Sequence, residues 1–210
     1  MKDIISLKPG QKGFINNGQE KFLSAFSTIG TFEAEQPTMR FIRESFNFFT
    51  EASKLRMKNL PSTSRWTPSA DITGLVSELA VMKYLSFPSE QVLSDFLAGL
   101  YGDRGFDAEV GDLKIDVKGT RGPGRWRFSK SNRHRDKATS YVFCKVEEVS
   151  TEVWVTITGF AHRHEIKPWV REDARSYYVR FETLQREGLL KPIKLLKQPS
   201  TYQPLTPINQ

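Results

Sequence analysis

One short stretch, FDAEVGDLKIDVKGT at residues 106–120, strongly limits how this chain can fold. Apolar and polar residues alternate on both sides of Gly111-Asp112, which is the pattern of two half-buried strands joined by a tight turn. A two-residue loop of this kind fixes the register, so Val110 is expected to pair with Leu113 and the pairing to continue outwards from there. The sequence therefore predicts a β-hairpin.

One face of this hairpin is charged. Residues two apart on a strand, and residues that face each other across strands, share one side of a sheet. The charged side consists of Asp107, Glu109, Lys114, Asp116 and Lys118. The register sets Asp107 against Asp116 with their Cβ atoms about 5 Å apart, and like charges in that arrangement destabilise a sheet. A cation is therefore expected between the two aspartates.

A helix is predicted from Asp71 to Phe87, with Asp71 or Thr73 as its N-cap and Pro88 as its stop. At about 100° per residue, Glu78 falls within the apolar arc of this helix. A buried carboxylate is costly unless it is paired, protonated or bound to a cation. Glu78 is therefore a candidate site residue; the alternative is a glutamate at the edge of the arc that reaches solvent or an arginine.

Positive charge is concentrated at residues 118–137. Eight basic residues stand there against one acidic residue, a net +7 that equals the formal net charge of the whole chain. Glycines and aromatic residues lie among them, a composition suited to binding a phosphate backbone. The residues predicted to bind nucleic acid are Arg121, Arg125, Trp126, Arg127, Lys130, Arg133, Arg135 and Lys137. The alternatives are a solvated basic loop and, for Trp126, packing under the loop instead of stacking on a base.

The rest of the chain is predicted to supply further helices and strands. Residues 1–35 are expected to form loops or short strands. Helices are predicted at about 38–59, 89–100 and 181–189, and strands at 141–146 and 153–160. The expected organisation is an N-terminal helical or irregular extension at 1–65, a core at 66–190 and a proline-rich tail at 191–210 that is extended or disordered.

Composition limits the environment of the protein. The sequence contains no run of eighteen apolar residues, and its N-terminus lacks the apolar core of a signal peptide. A cytoplasmic protein that is not secreted and has no membrane partner is expected. The single cysteine, Cys144, lies in the apolar run YVFCKV and is predicted to be a buried small hydrophobic residue.

The helix with Glu78, the strand that opens on Asp107 and the strand that ends in Asp116-Val117-Lys118 resemble the PD-(D/E)XK nuclease superfamily. The similarity covers roughly residues 71–160 and is strongest to nucleases encoded by phages and mobile elements, although Phe106 stands where the family has proline. It implies an α+β fold: a mixed central β-sheet of four or more strands flanked by helices, with a restriction-endonuclease-like core.

The resemblance also implies roles for the site residues. Asp107, Asp116 and Glu78 would bind Mg²⁺, with Mn²⁺ also accepted, and Lys118 would assist the attacking water or the developing charge. Hard Mg²⁺ prefers a few carboxylates together with water and phosphate oxygens, so the donor chemistry agrees. The implied function is a metal-dependent nuclease that acts on DNA in a bacterial or phage-infected cell. A homodimer is expected if both strands are cut symmetrically.

Other functions are open to a chain of this kind. The main alternative is a catalytically inactive nucleic-acid-binding protein, or a viral assembly or anti-defence protein, on a nuclease-like scaffold. An RNA-binding module ranks behind these because no aromatic ribonucleoprotein motif is present. His162 and His164 are spaced to bind a metal but lack further ligands at suitable spacing, and are expected to be surface residues.

The topology of the sheet is also left with two alternatives. The family has a helix between its third and fourth core strands, but Val146 and Val153 are too close in sequence to hold one. Either the edge of the sheet is rearranged, or the fourth strand lies at about residues 177–181.

Overall fold

The chain has an α+β fold in which helices flank a mixed β-sheet. The structure, a computed structural model, describes residues 15–32, 35–58, 68–99, 105–122, 124–129, 137–174 and 176–196. The helices are α1 Ile15–Ser27, α2 Arg43–Lys58, α3 Pro68–Tyr84, α4 Ser89–Gly99, α5 Arg163–Ile166 and α6 Phe181–Arg186. The strands are β1 Gly30–Phe32, β2 Thr38–Phe41, β3 Ala108–Val110, β4 Leu113–Thr120, β5 Arg125–Ser129, β6 Ser140–Val149, β7 Glu152–His162, β8 Arg171–Glu172 and β9 Ser176–Arg180.

The strands form two sheets. The larger sheet has six strands in the order β1-β2-β7-β6-β4-β3, and the smaller has three in the order β5-β9-β8. Neighbouring strands run antiparallel except β4 and β6, which run parallel. A parallel pair needs a crossover connection, and the segment that contains β5 provides it. The predicted mixed sheet of four or more strands is therefore confirmed.

The predicted hairpin register is confirmed over three pairs, from Val110↔Leu113 to Ala108↔Ile115. Gly111 takes a φ of 57° at the turn, a conformation that suits glycine. The ladder ends one residue earlier than predicted. The backbone N–H of Asp107 donates to the carbonyl of Ile115 at 2.7 Å, so Asp107 and Asp116 are not a ladder pair.

The six-stranded sheet has a hydrophobic core on each face. Alternate residues of β6 point to opposite sides, with Val142 and Cys144 in the core formed with helices α1 to α4. Tyr141 and Phe143 lie in the second core, which includes Trp126 of β5 and residues of β9 and α6. Cys144 is fully buried as predicted, and burial raises the pKa of its thiol.

Helix α3 packs closely across β4. Its apolar residues are buried around most of its circumference, among them Val76, Leu79 and Ala80, which is typical of a helix inside a core. Gly119 of β4 allows the approach: a Cβ at this position would lie 2.8 Å from the carbonyl oxygen of Thr73 and would meet the Ser77 hydroxyl. The contact fixes the position of Glu78, one residue after Ser77, relative to the hairpin.

Several predicted boundaries are wrong. Helix α1 lies where loops or short strands were expected, and Gly18 is inside it. The helix predicted from residue 38 is preceded by β2, which pairs with β7. Asp71 is not the N-cap of α3 but lies inside this helix, buried, where it accepts a hydrogen bond from Ser53. Helix α6 ends at Arg186, short of the predicted residue 189.

The domain boundary expected at residue 65 does not separate two cores. Phe22 and Phe26 of α1 and Phe49 of α2 lie in the same hydrophobic cluster as Leu79 of α3. The expected tail begins with a segment that packs on the sheet, since Leu196 is also buried there. Residues 1–14 and 197–210, with the remainder of that tail, lie outside the described residues.

Of the two sheet alternatives, the structure has the rearranged edge. The strand expected at 177–181 is β9, which pairs with β5 and β8 in the smaller sheet. Strands β6 and β7 form a hairpin through Ser150, whose φ is 56°. In the described parts of the chain, none of the helices combines the length and the apolar character needed to cross a membrane.

The close packing of α3 on β4 predicts that Gly119→Ala lowers the free energy of unfolding. The added methyl group meets the Thr73 carbonyl, which cannot rotate away, and overpacking of this kind costs about 1–3 kcal/mol. Urea denaturation measures the change. Gly122→Ala is the matched control, because a Cβ there has nothing within 4 Å. Equal stability of the two variants would contradict the packing.

Candidate functional site

The candidate site lies where β4 runs beside the end of β3. Asp116 and Lys118 are two residues apart on β4 and therefore share a face. The Lys118 Nζ lies 2.6 Å from the Asp116 Oδ2, and both side chains are partly buried, at 23% and 17% exposure. The lysine is further held over the ring of Phe128, with 5.9 Å between Nζ and the ring centroid. A short ion pair thus occupies the charged side of the hairpin.

Asp107 lies at the entrance of the hairpin and is tied to β4. Its Oδ2 accepts a hydrogen bond from the backbone N–H of Val117 at 2.6 Å. Burial raises the pKa of Asp107 well above its ordinary value, and the negative charges of Glu78 and Asp116 raise it further. The charge of Lys118 and the Val117 hydrogen bond act in the opposite direction without cancelling these effects. Asp107 therefore ionises less readily than an ordinary aspartic acid.

Glu78 reaches this site from the other side of β4. It is half-buried on α3, and its Oε1 lies 3.9 Å from the position that a Cβ on Gly74 would take, so the side chain folds back along the helix. Its effect on the pKa of Asp107 places the two carboxylates within electrostatic reach of each other. Of the four predicted residues, Lys118 and Asp116 are thus in direct contact, while Glu78 and Asp116 act on Asp107 through their charge.

These side chains match a divalent cation in chemistry but are not arranged as a ready metal shell. Among the residues that the structure describes, no three acidic, histidine or cysteine side chains come close enough together to hold a metal ion. One oxygen of Asp116 is engaged by Lys118 and one of Asp107 by a backbone N–H. Three carboxylates nonetheless form the oxygen donor set that Mg²⁺ prefers, and the second oxygen of each aspartate could contribute to it.

The two histidines form a separate pair at the end of β7. The Nδ1 of His162 lies 2.8 Å from the hydroxyl of Ser140, and its ring stacks on that of His164 at 5.7 Å between centroids. Burial lowers the pKa of His162, and the nearby Lys191 lowers it further. Because Ser140 is fully buried, a substrate cannot reach its hydroxyl, and these residues have no evident place in the candidate site.

The basic segment is partly a strand instead of a loop. Trp126 of β5 is buried, donates its Nε1–H to the Cys144 carbonyl at 3.1 Å, and packs on Phe143 with 4.8 Å between ring centroids. It therefore takes the second of its two predicted roles, packing inside the protein. The prediction that Trp126 contacts nucleic acid is wrong for this structure, because a ring at 1% exposure has no free face for a base.

The arginines of this segment are exposed but differ in their partners. Arg121 pairs with Glu148 at 2.7 Å, and Arg127 pairs with Asp173 at the same distance. The guanidinium of Arg125 lies over the ring of Tyr178 at 5.1 Å. Lys137 is exposed, and its backbone N–H donates to Gly105. The predicted residues Lys130, Arg133 and Arg135 lie outside the described residues.

The sequence analysis missed a cleft next to the hairpin. A cavity of about 610 Å³ opens between β4, β5, β9 and α6, lined by Thr120, Gly122, Arg125, Arg127, Arg180, Glu182, Thr183 and Arg186. Arg125 and Arg127 were predicted to bind nucleic acid, but Arg180 and Arg186 were not. Their only signal in the sequence was the strand pattern SYYVR followed by a helix, which does not say that β9 pairs with β5.

Comparisons with protein-family models, with characterised proteins and with solved structures found no match.

The raised pKa of Asp107 predicts a pH dependence of folding. Between the ordinary unfolded value of about 3.9 and the raised folded value, the folded protein keeps a proton that the unfolded chain has lost. Stability therefore falls as pH rises through that window. Asp107→Asn keeps an oxygen for the Val117 N–H but cannot titrate, so its stability relative to the wild type should increase with pH.

Urea unfolding in EDTA at a series of pH values measures this effect. Asp112→Asn, in the exposed turn of the same hairpin, is the matched control and should follow the wild type. Parallel pH profiles for Asp107→Asn and the wild type would contradict the crowding of charge at Asp107.

Proposed function

We propose that this protein is a metal-dependent nuclease that hydrolyses phosphodiester bonds of DNA. The observation that carries the proposal is the Lys118–Asp116 ion pair beside Asp107, whose pKa is raised by burial and by two neighbouring carboxylates. Strongly shifted carboxyl groups with a specific charged partner are characteristic of functional sites. Asp116 and Lys118 lie on β4, and Asp107 directly precedes β3.

Asp107, Asp116 and Glu78 are the residues that would hold Mg²⁺ or Mn²⁺. When bound, the cation lowers the pKa of water and offsets charge on the phosphate. The carboxylates themselves gain from such binding, because their mutual repulsion, seen in the pKa of Asp107, is relieved.

Lys118 has a separate role in the proposal. Its ammonium group is a compact charge with three donors, and it already lies within hydrogen-bonding distance of a proposed ligand, Asp116. A cation held by Asp116 would compete with this ion pair, and the ammonium of Lys118 could then donate to the attacking water or to a phosphate oxygen. The Phe128 ring below it limits where the lysine can turn.

The positive surface beside the site supports a nucleic acid as the substrate. Arg125 and Arg127 project from β5, the strand that follows the hairpin, and both are exposed. Contacts of arginine with phosphates position a nucleic acid without reading its sequence. The proposal therefore assigns DNA backbone binding to this surface and no base specificity.

A second candidate is a nucleic-acid-binding protein that keeps this scaffold without the chemistry. It is favoured by the observation that Lys118 already neutralises Asp116, together with the lack of three converging ligand side chains in the described ranges. In that case the positive charge that the sequence predicts between Asp107 and Asp116 is supplied by Lys118 and not by a metal ion. The same surface would then serve in assembly or in countering a defence system.

The nuclease proposal predicts that Asp116→Asn abolishes cleavage and that Lys118→Ala slows it by about 10²–10⁴-fold, the usual contribution of a positioned proton donor. Cleavage of linear, circular and branched DNA in Mg²⁺ and in Mn²⁺ measures both. Asp112→Asn, exposed in the hairpin turn, is the control and should cleave normally. Activity that persists in Asp116→Asn would remove the site from the reaction.

Chelation separates the two candidates. For the nuclease, EDTA should stop cleavage while binding of DNA, followed by fluorescence anisotropy, persists through the arginines. Binding without cleavage in Mg²⁺, Mn²⁺ or any other divalent cation tested would favour the binding protein.

A further inference from the structure

The cleft between the two sheets is an anion site by its composition. Its lining carries four arginines and one glutamate, with Thr120 and Thr183 supplying hydroxyl groups. Four elements converge on it, so the charges surround a concave space of about 610 Å³, within the size range of pockets that bind ligands. Guanidinium groups and hydroxyls at such a site match phosphate oxygens.

Two of these arginines oppose each other across neighbouring strands. Arg125 and Arg180 are direct cross-strand partners of β5 and β9, and like charges in that arrangement destabilise a sheet. Neither forms an ion pair with any acidic residue of the described ranges. By contrast, Arg127 is paired with Asp173, and Arg186 with Glu187. The pair of Arg125 and Arg180 is therefore where an external anion would relieve the most repulsion.

The cleft is joined to the carboxylate site by one strand. Asp116, Lys118 and Thr120 alternate along β4 and point to the same side, and Thr120 lines the cleft. Four residues of strand span about 13 Å at ~3.3 Å per residue. Because phosphates of one strand are separated by the turn of the backbone as well as by the rise of about 3.4 Å per nucleotide, that distance corresponds to roughly two nucleotides.

We propose that this cleft binds backbone phosphates of the nucleic acid about two nucleotides from the phosphodiester at the carboxylate site, with Arg125 and Arg180 as the principal contacts. The position of the phosphodiester at the carboxylates rests on the proposed nuclease function. Binding of phosphates in the cleft does not depend on it. The phosphates belong to a single strand or to one strand of a duplex, and the experiment uses both.

The test measures binding of labelled single-stranded and duplex DNA in EDTA over a series of salt concentrations. Arg180→Gln should weaken binding about tenfold, as loss of a charged hydrogen bond does. The log–log salt slope should fall by about 0.7 for the single strand or ~0.9 for the duplex per lost phosphate contact. The DNA, single-stranded or duplex, whose salt slope falls by the full expected amount is the one that enters the cleft. Arg125→Lys/Arg180→Lys keeps the charge and should keep the slope.

Arg171→Gln is the matched control, since Arg171 is exposed on β8 of the same small sheet and does not line the cleft. Equal affinities and slopes for Arg180→Gln and Arg171→Gln on both DNA forms would overturn the proposal. Thermal melting of each variant checks that the small sheet is intact, and Arg125→Gln, at the cross-strand partner of Arg180, gives the same test if Arg180→Gln is unstable.

Cleavage assays on the same proteins separate this proposal from the nuclease function. In Mg²⁺, Arg180→Gln should raise KM with little change in kcat, whereas Asp116→Asn should remove kcat. Loss of binding in Arg180→Gln, with no cleavage by the wild type, would retain the cleft and reject the nuclease. Normal cleavage and normal KM in Arg180→Gln would reject the cleft and retain the nuclease.

Discussion

The close contact of α3 with β4 determines the rest of this site. The helix can cross the strand at Gly119 only because that residue has no side chain, and the carbonyl of Thr73 and the hydroxyl of Ser77 occupy the space instead. Glu78 is the next residue along the helix. Its carboxylate therefore acts on Asp107, which is itself hydrogen-bonded to the backbone of β4. Backbone packing, which is rigid, holds together acids that would otherwise repel each other.

The large sheet separates two environments. One face packs on four helices and forms the main core, while the other carries the small sheet and α6. Strand β4 takes part in both, with Ile115 and Val117 facing the main core and Asp116 and Lys118 facing the other side. The second layer buries Trp126 and Phe143 and in doing so brings Arg125 and Arg180 together at the rim. The carboxylate site and the arginine cleft therefore both include residues of β4.

The two charge clusters complement each other physically. Acids gather at one end of β4 and arginines around Thr120 at the other. Within the described residues each cluster is neutralised in part, by Lys118 in the first and by Asp173 and Glu187 in the second. Of the cleft arginines, Arg125 and Arg180 form no ion pair with an acidic residue of the described ranges. A nucleic acid that carries phosphates, together with a divalent cation, would be a ligand for both clusters. The proposed nuclease function therefore gives a role to the acids and to the arginines.

The hairpin, its register as far as Ala108↔Ile115 and the burial of Cys144 could be predicted from the amino-acid sequence, because alternation and turn chemistry are local. Glu78, Asp107, Asp116 and Lys118 stay a prediction. Features that depend on distant segments became apparent only in the folded chain. The pairing of β5 with β9 buries Trp126, makes part of the predicted basic loop a strand and forms the arginine cleft. The pairing of β2 with β7 joins the N-terminal residues to the core. Such contacts join strands far apart in the chain, and no local pattern encodes which strand will be the partner.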